Sequence, residues 1–310
     1  MSKNSAKIKV IGIGGSGGNA ITRMAKCRIQ GVDLIAANSD FQDLKKTKAE
    51  HKIQLGENLA NGLGAGMNPS IGKKAAEHSI EEIRKSLTGA DIIFVVCGLG
   101  GGTGTGAAPV AAKTAKDLGA LTIGAVTLPF SFEGAQRRKI ALLGERRLRE
   151  TVDSLFVIPN DNLLSEIDED TTCENAFWIC DEVLRQAVQG ISDLIVKPGI
   201  INVDFADVKS IMSDSGSALF GVGTGRGEDK IEKAANSALN SPFLQFPIKG
   251  AKRILFNITG GKNLSLAEIE KAAKIITKNT SASKIIFGAI QDNKLKPDEV
   301  KIALIAAGVE

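Results

Sequence analysis

Tyrosine is absent from this 310-residue chain, tryptophan occurs once, and aromatic residues make up only 4% of it. The core must therefore be built mainly from aliphatic side chains. Histidine occurs only at His51 and His78, and the four cysteines (Cys27, Cys97, Cys173 and Cys180) show no C-x-x-C spacing. No metal-site pattern results, and Cys97, inside an apolar run, reads as inert packing. No apolar stretch reaches the length of a membrane span and no signal peptide opens the chain, so the expectation is a soluble cytoplasmic protein without direct membrane insertion. The Asn257-Ile-Thr259 sequon is then accidental. A formal net charge of +4 is too mild to imply nucleic-acid binding. An ordinary P-loop is missing as well. The near-match at Gly66 and Gly72-Lys73-Lys74 has its first gap one residue too long, and Lys74 stands where magnesium needs Ser or Thr.

What is present is glycine, 34 residues of it, in a chain that is 43% hydrophobic and 24% charged and long enough for two domains. The stretch Gly98–Gly106, GLGGGTGTG, organises the rest. It follows the apolar run Asp91–Cys97, which reads as a buried strand. It precedes Ala107–Ala112, which reads as a helix start with Pro109 in the first turn. Glycines let backbone N–H groups approach a ligand unobstructed, and a helix start adds free N–H groups and a positive dipole end. The combination is a phosphate cradle. A tight turn would need only one or two glycines.

The strand–glycine–helix unit recurs. Lys7–Ile13 reads as a first strand after a loose start over residues 1 to 6. Gly14-Gly-Ser-Gly-Gly-Asn19 then leads into a helix to about Ile29. Gly12, Gly14 and Gly17 have dinucleotide-binding spacing, a weak signal alone. Val32–Ala37 reads as the next strand; Asp33 and Asp40 are both candidates for a ribose acceptor. Asn61–Pro69 is a third glycine-rich loop, followed by a helix over Lys73–Leu87. Leu121–Thr127 and Ser154–Ile158 read as strands, separated by a helix over Ala135–Val152. That helix has a basic face (Arg137, Arg138, Lys139, Arg146, Arg147, Arg149) that suits a solvated surface, with nucleic acid as the alternative. Strands alternating with helices, with glycine or polar residues at the strand ends, predict an α/β parallel sheet of Rossmann-like topology. Thr172–Val196 then reads as one long helix.

The remainder has a different texture. Ser217–Val222, Arg253–Thr259, Ile285–Ile290 and Val300–Ala306 read as strands, with helices over Glu228–Asn240 and Leu266–Lys278. The cluster Gly221-Val-Gly-Thr-Gly225 reads as a hinge or turn. A smaller α+β domain is expected here. The predicted partition is residues 1–170 for nucleotide binding, 171–197 for a central helix and 198–310 for the second domain.

Three glycine loops and Asn160 at a strand end suit a nucleotide with a polyphosphate. A guanine base needs a carboxylate for N1–H and the exocyclic amine, and a flat apolar group to stack on. Asp181 and Phe177, four apart on the long helix, could supply both; an exposed Asp and a core Phe are the plainer alternative. Glu133 and Arg137 could contact ribose and phosphate, or form an ordinary i,i+4 ion pair. Asp204 and Asp207, with Asn202, form the sharpest acidic cluster, able to polarise a water or hold a cation. A helix of roughly 25 residues spans about 37 Å. It separates those acids from the base-contacting turn, so they cannot easily reach the phosphates of their own chain. They could reach those of another copy, in a head-to-tail array that builds filaments.

The run Gly100-Gly-Gly-Thr-Gly-Thr-Gly106 resembles the tubulin signature GGGTGTG, and from about residue 7 onward the chain resembles the FtsZ family, the bacterial cell-division homologues of tubulin. Further motifs are GLGAGMNP (62–69), FEG (132–134), IPND (158–161), AVQGISDLI (187–195) and NVDFADV (202–208). The resemblance implies a GTPase domain, a central helix and a smaller activation domain. It implies GTP or GDP bound by Gly14, Gly15, Gly17, Gly18 and Asn19, by Ala65 and Gly66, and by Gly101, Gly102, Thr103, Gly104 and Thr105. Ribose and phosphate contacts would come from Glu133 and Arg137, and base contacts from Asn160, Phe177 and Asp181. Asp204 and Asp207, with Asn202 beside them, would enter the next subunit's site and activate the attacking water. Mg²⁺ would be held mainly by the phosphates, with no protein metal site, and K⁺ is a candidate monovalent ion. The implied partner is the chain itself, at a cytoplasmic mid-cell division ring. Regulators and membrane tethers would act through a tail that this sequence, ending at Glu310, does not include. The family is usually acidic, whereas the sequence pI here is about 8.8. Two other classes remain at this stage. One is an NAD-dependent oxidoreductase on Gly12, Gly14 and Gly17, which leaves the other glycine loops unexplained. The other is a weakly hydrolysing partitioning protein of the tubulin superfamily.

Overall fold

The computed structural model describes residues 6–57, 62–166, 170–241, 243–244 and 248–309. Most of the loose start at residues 1 to 6, the first residue of the third glycine loop (Asn61) and Glu310 lie outside the described residues. The chain divides into two compact units, Met1–Gln189 and Gly190–Glu310.

The first unit alternates strands and helices: β1 (Ile8–Ile13), α1 (Gly14–Lys26), β2 (Val32–Asn38), α2 (Phe41–Lys46), β3 (His51–Gln54), α3 (Pro69–His78), α4 (Ile80–Leu87), β4 (Ile92–Gly98), α5 (Gly102–Asp117), β5 (Leu121–Leu128), α6 (Ala135–Arg149) and β6 (Ser154–Pro159). Helix α7 (Cys173–Val196) follows and runs past the division between the units. The strands order as β3-β2-β1-β4-β5-β6, every pair parallel. This is the expected Rossmann-like order. β4 is buried from Ile92 to Cys97, as a strand covered on both faces must be. The core is aliphatic: alanine, isoleucine, leucine and valine dominate it. Strand order reverses between β1 and β4, and at such a switch point the connecting loops part and leave a crevice at the carboxyl ends.

Several boundaries differ from the sequence expectations. Helix α5 begins at Gly102, not at Ala107, so Pro109 sits inside the helix rather than in its first turn. The glycines are helical because they are packed: a Cβ on Gly106 would stand 2.0 Å from the Pro69 carbonyl oxygen, at the start of α3. Likewise α1 starts at Gly14 rather than after Asn19. The helix expected over Lys73–Leu87 starts earlier and is two helices, α3 and α4. They break at Ser79, whose buried hydroxyl accepts from the Gly56 N–H at 3.0 Å and donates to the Gln54 carbonyl at 3.3 Å. Neither α2 nor β3 was anticipated. Each is short and buries one residue, Leu44 and Ile53 respectively, which leaves no periodicity to read.

The second unit contains α8 (Phe205–Met212), β7 (Gly216–Arg226), α9 (Lys230–Leu239), β8 (Arg253–Gly260), α10 (Leu266–Lys278), β9 (Lys284–Gln291) and β10 (Glu299–Ala307). Its strands order as β7-β10-β8-β9, with β10 antiparallel to both neighbours and β8–β9 parallel. The glycine cluster at 221–225 is not a hinge; it lies inside β7. Added Cβ atoms at Gly221, Gly223 and Gly225 would stand 2.2, 2.2 and 1.9 Å from the carbonyl oxygens of Ala238, Ala234 and Lys230. Alternate residues of a strand share a face, so this glycine stripe lets α9 lie directly on the strand backbone.

Candidate functional site

A cleft of about 520 Å³ opens in the first unit. It is lined from the carboxyl ends of β1, β2, β4 and β5, the start of α1, the 63–66 loop, the start of α5, Pro129, Glu133, Arg137, Asn160 and the first turns of α7. Two helix N-termini open into it. Neither α1 nor α5 has a side-chain cap or an acidic residue in its first turn. By contrast α2 and α3 are capped by Asp40 and Asn68. Uncapped first turns leave N–H groups and dipole ends for an anion.

The glycine loops are held together at this end. Gly102 N–H donates to the Gly66 carbonyl at 2.8 Å, tying the 62–66 loop to the start of α5. Thr103 Oγ1 and Ser39 Oγ are 2.7 Å apart, joining α5 to the end of β2. Gly14 needs its positive φ of 72° to turn from β1 into α1, close beside Gly104. At Gly101 nothing lies within 4 Å of an added Cβ, so that position faces open space in the cleft.

The other end carries aromatic and carboxylate groups. Phe177 is 42% exposed, and its ring stands edge-on to Phe130 with centroids 5.5 Å apart. Burial pushes the Asp181 carboxyl up to about 7 against the opposing pull of the Arg23 guanidinium. Asn160 is buried, and its Oδ1 has no hydrogen-bond partner. A buried carbonyl oxygen without a donor is costly, and this one lines the cleft, where a ligand N–H can satisfy it. Glu133 and Arg137 form the i,i+4 pair at 3.1 Å, and both also line the cleft. The second oxygen of Glu133 accepts from the Phe130 N–H at 2.8 Å.

Most of the predicted nucleotide-contacting residues therefore share one cleft. Gly14, Gly15, Asn19, Ala65, Gly66, Gly101, Gly102, Thr103, Gly104, Glu133, Arg137, Asn160, Phe177 and Asp181 all line it. Gly17, Gly18 and Thr105 are instead engaged with the protein. An added Cβ on Gly17 would meet the backbone of Gly12 and Val96, and one on Gly18 would meet Thr47. The Thr105 hydroxyl accepts from the Gly100 N–H at 2.9 Å. Of the two ribose-acceptor candidates, Asp40 lines the cleft, whereas Asp33 pairs in register with Lys9 toward the amino end of β2. Asp43 lines the cleft and was missed, because it lies on the unanticipated α2; its Oδ2 accepts from Asn38 at 2.8 Å.

The acidic segment belongs to the second unit and is described there. Asn202 Oδ1 accepts from the Gly199 N–H at 2.8 Å. Asp204 Oδ1 accepts from the Asp207 N–H at 2.8 Å and caps α8. The carboxylate of Asp207 has no such engagement among the described residues. There, too, no three carboxylate, imidazole or thiol groups cluster as a metal site, and no helix is long and apolar enough to cross a membrane.

Comparison with known proteins settles the family. The profile described as the Tubulin/FtsZ family GTPase domain matches residues 7–168, and that of the FtsZ family C-terminal domain matches residues 216–310. The chain belongs to the tubulin/FtsZ family. It is a GTPase of that family, and the cleft lies in the unit that carries the GTPase domain. An empty FtsZ dimer from M. jannaschii is 44% identical, with a TM-score of 0.93, over 99% of this chain and 89% of that one. The W319Y mutant of M. jannaschii FtsZ is 45% identical, with a TM-score of 0.92, over 98% and 92%. GDP-bound CetZ1 from Haloferax volcanii shares the fold, with a TM-score of 0.85 at 24% identity, over 98% and 94%. These relatives are archaeal, so the expectation of a bacterial protein draws no support from them. The oxidoreductase alternative falls with the family match; Gly12 and Gly17 pack against each other instead.

Proposed function

We propose that the protein is a GTP-dependent filament former of cell division that hydrolyses GTP between head-to-tail subunits. In this reading the amides of Gly14, Gly15 and Gly101–Gly104 hold the phosphates. Glu133 and Arg137 reach ribose and phosphate, and Asn160, Phe177 and Asp181 take the guanine. Gly17, Gly18 and Thr105 act behind them by setting the loops. Residues 1–170 bind nucleotide, 171–197 link, and 198–310 present the acidic loop to the next subunit. One observation carries the shared site. Among the cleft carboxylates, Asp40 caps α2, Asp43 accepts from Asn38, Glu133 is held by Phe130 and Arg137, and burial favours the protonated form of Asp181. Asp207 stands unengaged among the described residues. A carboxylate for the attacking water then comes from another copy, with Asp204 and Asn202 shaping the loop that delivers it.

The chemistry is positioning and electrostatics. A water oxygen bonds to the γ-phosphorus, the bond from that phosphorus to the β–γ bridging oxygen breaks, and the water's proton passes toward Asp207. The glycine amides and the two helix N-termini stabilise the charge on the departing GDP. Magnesium would be carried on the phosphates, where it would add neutralising charge. Potassium is a further candidate. Self-association is supported by the dimeric M. jannaschii FtsZ. Division-ring regulators, membrane tethers and a cytoplasmic mid-cell location complete the proposal.

The Asp207→Ala variant tests it. Expected are unchanged GTP affinity and loss of most turnover. Parental turnover would overturn the shared site. In the parent, turnover per molecule should rise with protein concentration, and light scattering should rise on adding GTP and decay as it is consumed. A flat concentration dependence would count against the filament.

A further inference from the structure

Beside the cleft, α1 and α7 are joined by one side-chain cluster. Arg23, on α1, donates from Nε to Glu182 Oε2 on α7 at 2.6 Å. Its guanidinium carbon lies 3.4 Å from the centre of the Trp178 ring. Arg185 donates to the same carboxylate from Nη2 and Nε, at 2.6 and 2.8 Å, and Gln186 adds a contact at 3.0 Å. The side chains of Arg23, Glu182 and Arg185 are only 15%, 18% and 11% exposed. Burial raises the Glu182 carboxyl, but hydrogen bonds from Arg185, Gln186 and Arg23 bring it down to about 2, so it is a fixed anion.

Trp178 and Glu182 are four residues apart, and so are Phe177 and Asp181. On a helix these are two parallel stripes rotated by about 100°. Gripping one stripe sets the direction of the other. The helix that supplies the grip also begins with Gly14 and Gly15 of the cleft. We propose that Arg23 is a positioning residue for guanine recognition: by gripping Trp178 and Glu182 it fixes the rotation of α7 at which Phe177 and Asp181 face the cleft. This rests on the reading of Phe177 and Asp181 as base contacts.

The residue type fits the task. A guanidinium can stack on an indole face and hydrogen-bond a carboxylate at once, whereas a lysine ammonium keeps the charge without the planar fork. Holding a partly buried ion pair is poor value as a stability device, since the desolvation cost offsets the attraction; holding a direction is a better use. Arg23 also opposes the effect of burial at Asp181. The other charged groups lining the cleft are Asp40, Asp43, Glu133 and Arg137.

The test measures the affinity of the full chain for GTP and for the inosine analogue, which lacks the exocyclic amine, from mildly acidic to mildly alkaline pH. Arg23→Gln should weaken GTP binding by about tenfold, shrink the preference over the inosine analogue and move the pH midpoint upward. Arg23→Lys should keep the midpoint but not the affinity. Trp178→Leu, at a half-exposed site where misfolding is not at issue, should lose affinity and preference with the midpoint kept. Parental affinity and preference in both Arg23→Gln and Trp178→Leu would overturn the proposal, as would lowered thermal stability with unchanged preference. Asp181→Asn separates the two readings. If it keeps the parental preference, the base-contact reading fails and this proposal with it. If it loses the preference while Arg23→Gln does not, only the proposal fails.

Discussion

Two glycine patterns, one in each unit, act in opposite ways. At the strand ends of the first unit, Gly101 has nothing within 4 Å of an added Cβ and Gly14 turns the chain at a positive φ, so both open space, while Gly102, Gly104 and Gly106 beside them are packed against backbone. In the second, Gly221, Gly223 and Gly225 alternate along β7 and close space, bringing α9 onto the strand backbone. Composition cannot tell these apart, but spacing can. A consecutive run after a buried strand breaks the strand and frees amides. A period of two keeps the strand and strips one face of side chains. The first pattern makes a site, and the second makes a packing surface.

Substitution should break the contrast most sharply in β7. Gly225→Ala and Gly223→Ala each drive a methyl into a backbone carbonyl that cannot rotate away, and should cost about 2–3 kcal/mol of stability. Thermal or urea unfolding of the full chain reads this directly; parental stability would mean that α9 is not seated as described. Gly101→Ala should do the reverse. Its φ of −91° suits alanine and its Cβ meets nothing, so stability should stay within about 0.5 kcal/mol while GTP affinity falls by about tenfold or more. Equal losses of stability in the Gly101 and Gly223 variants would erase the distinction.

A third measurement sharpens the chemistry of the cleft. The Asp181 carboxyl is raised by burial to about 7, and guanine N–H groups need its ionised form. Bound nucleotide lowers that value, so binding releases a proton when the free site is protonated. GTP affinity should therefore fall as pH drops below about 7, by up to about tenfold per unit. The sign for the free protein is opposite. A carboxyl raised above its unfolded value costs stability as pH rises through the window from about 4 to about 7, where the unfolded chain is already ionised. Calorimetry in buffers of different ionisation enthalpy would detect the released proton; its absence at mildly acidic pH would place the affinity elsewhere.

Much of this arrangement was legible in the sequence, and what was not has identifiable causes. Continuous apolar runs such as Ile92–Cys97 marked the parallel strands, because a strand covered on both faces has no alternation to hide behind. Helix starts were misjudged at Gly14 and Gly102 because glycine lowers helix propensity, while close packing on Pro69, Gly66 and Val96 decides otherwise. The cleft residues followed from strand-end chemistry and family motifs. Asp43 did not, because α2 is too short to show a period. Arg23 was invisible: it needs a helix partner about 160 residues away, and no local pattern records such a pair.

The smallest effect separates two acids that the sequence could only treat together. Asp204 caps α8 through Oδ1, whereas the Asp207 carboxylate is unengaged among the described residues. Asp204→Ala should cost about 1 kcal/mol of stability, the usual value of an N-cap, and Asp207→Ala almost none. Asn caps a helix as well as Asp does, so Asp204→Asn should return stability to the parental value. Any turnover still missing in Asp204→Asn then measures the charge alone, freed from the cap. That loss should be smaller than in Asp207→Ala, because one oxygen of Asp204 is already committed to the backbone. An equal loss would make the two carboxylates a single water-polarising pair, with the cap incidental to its position.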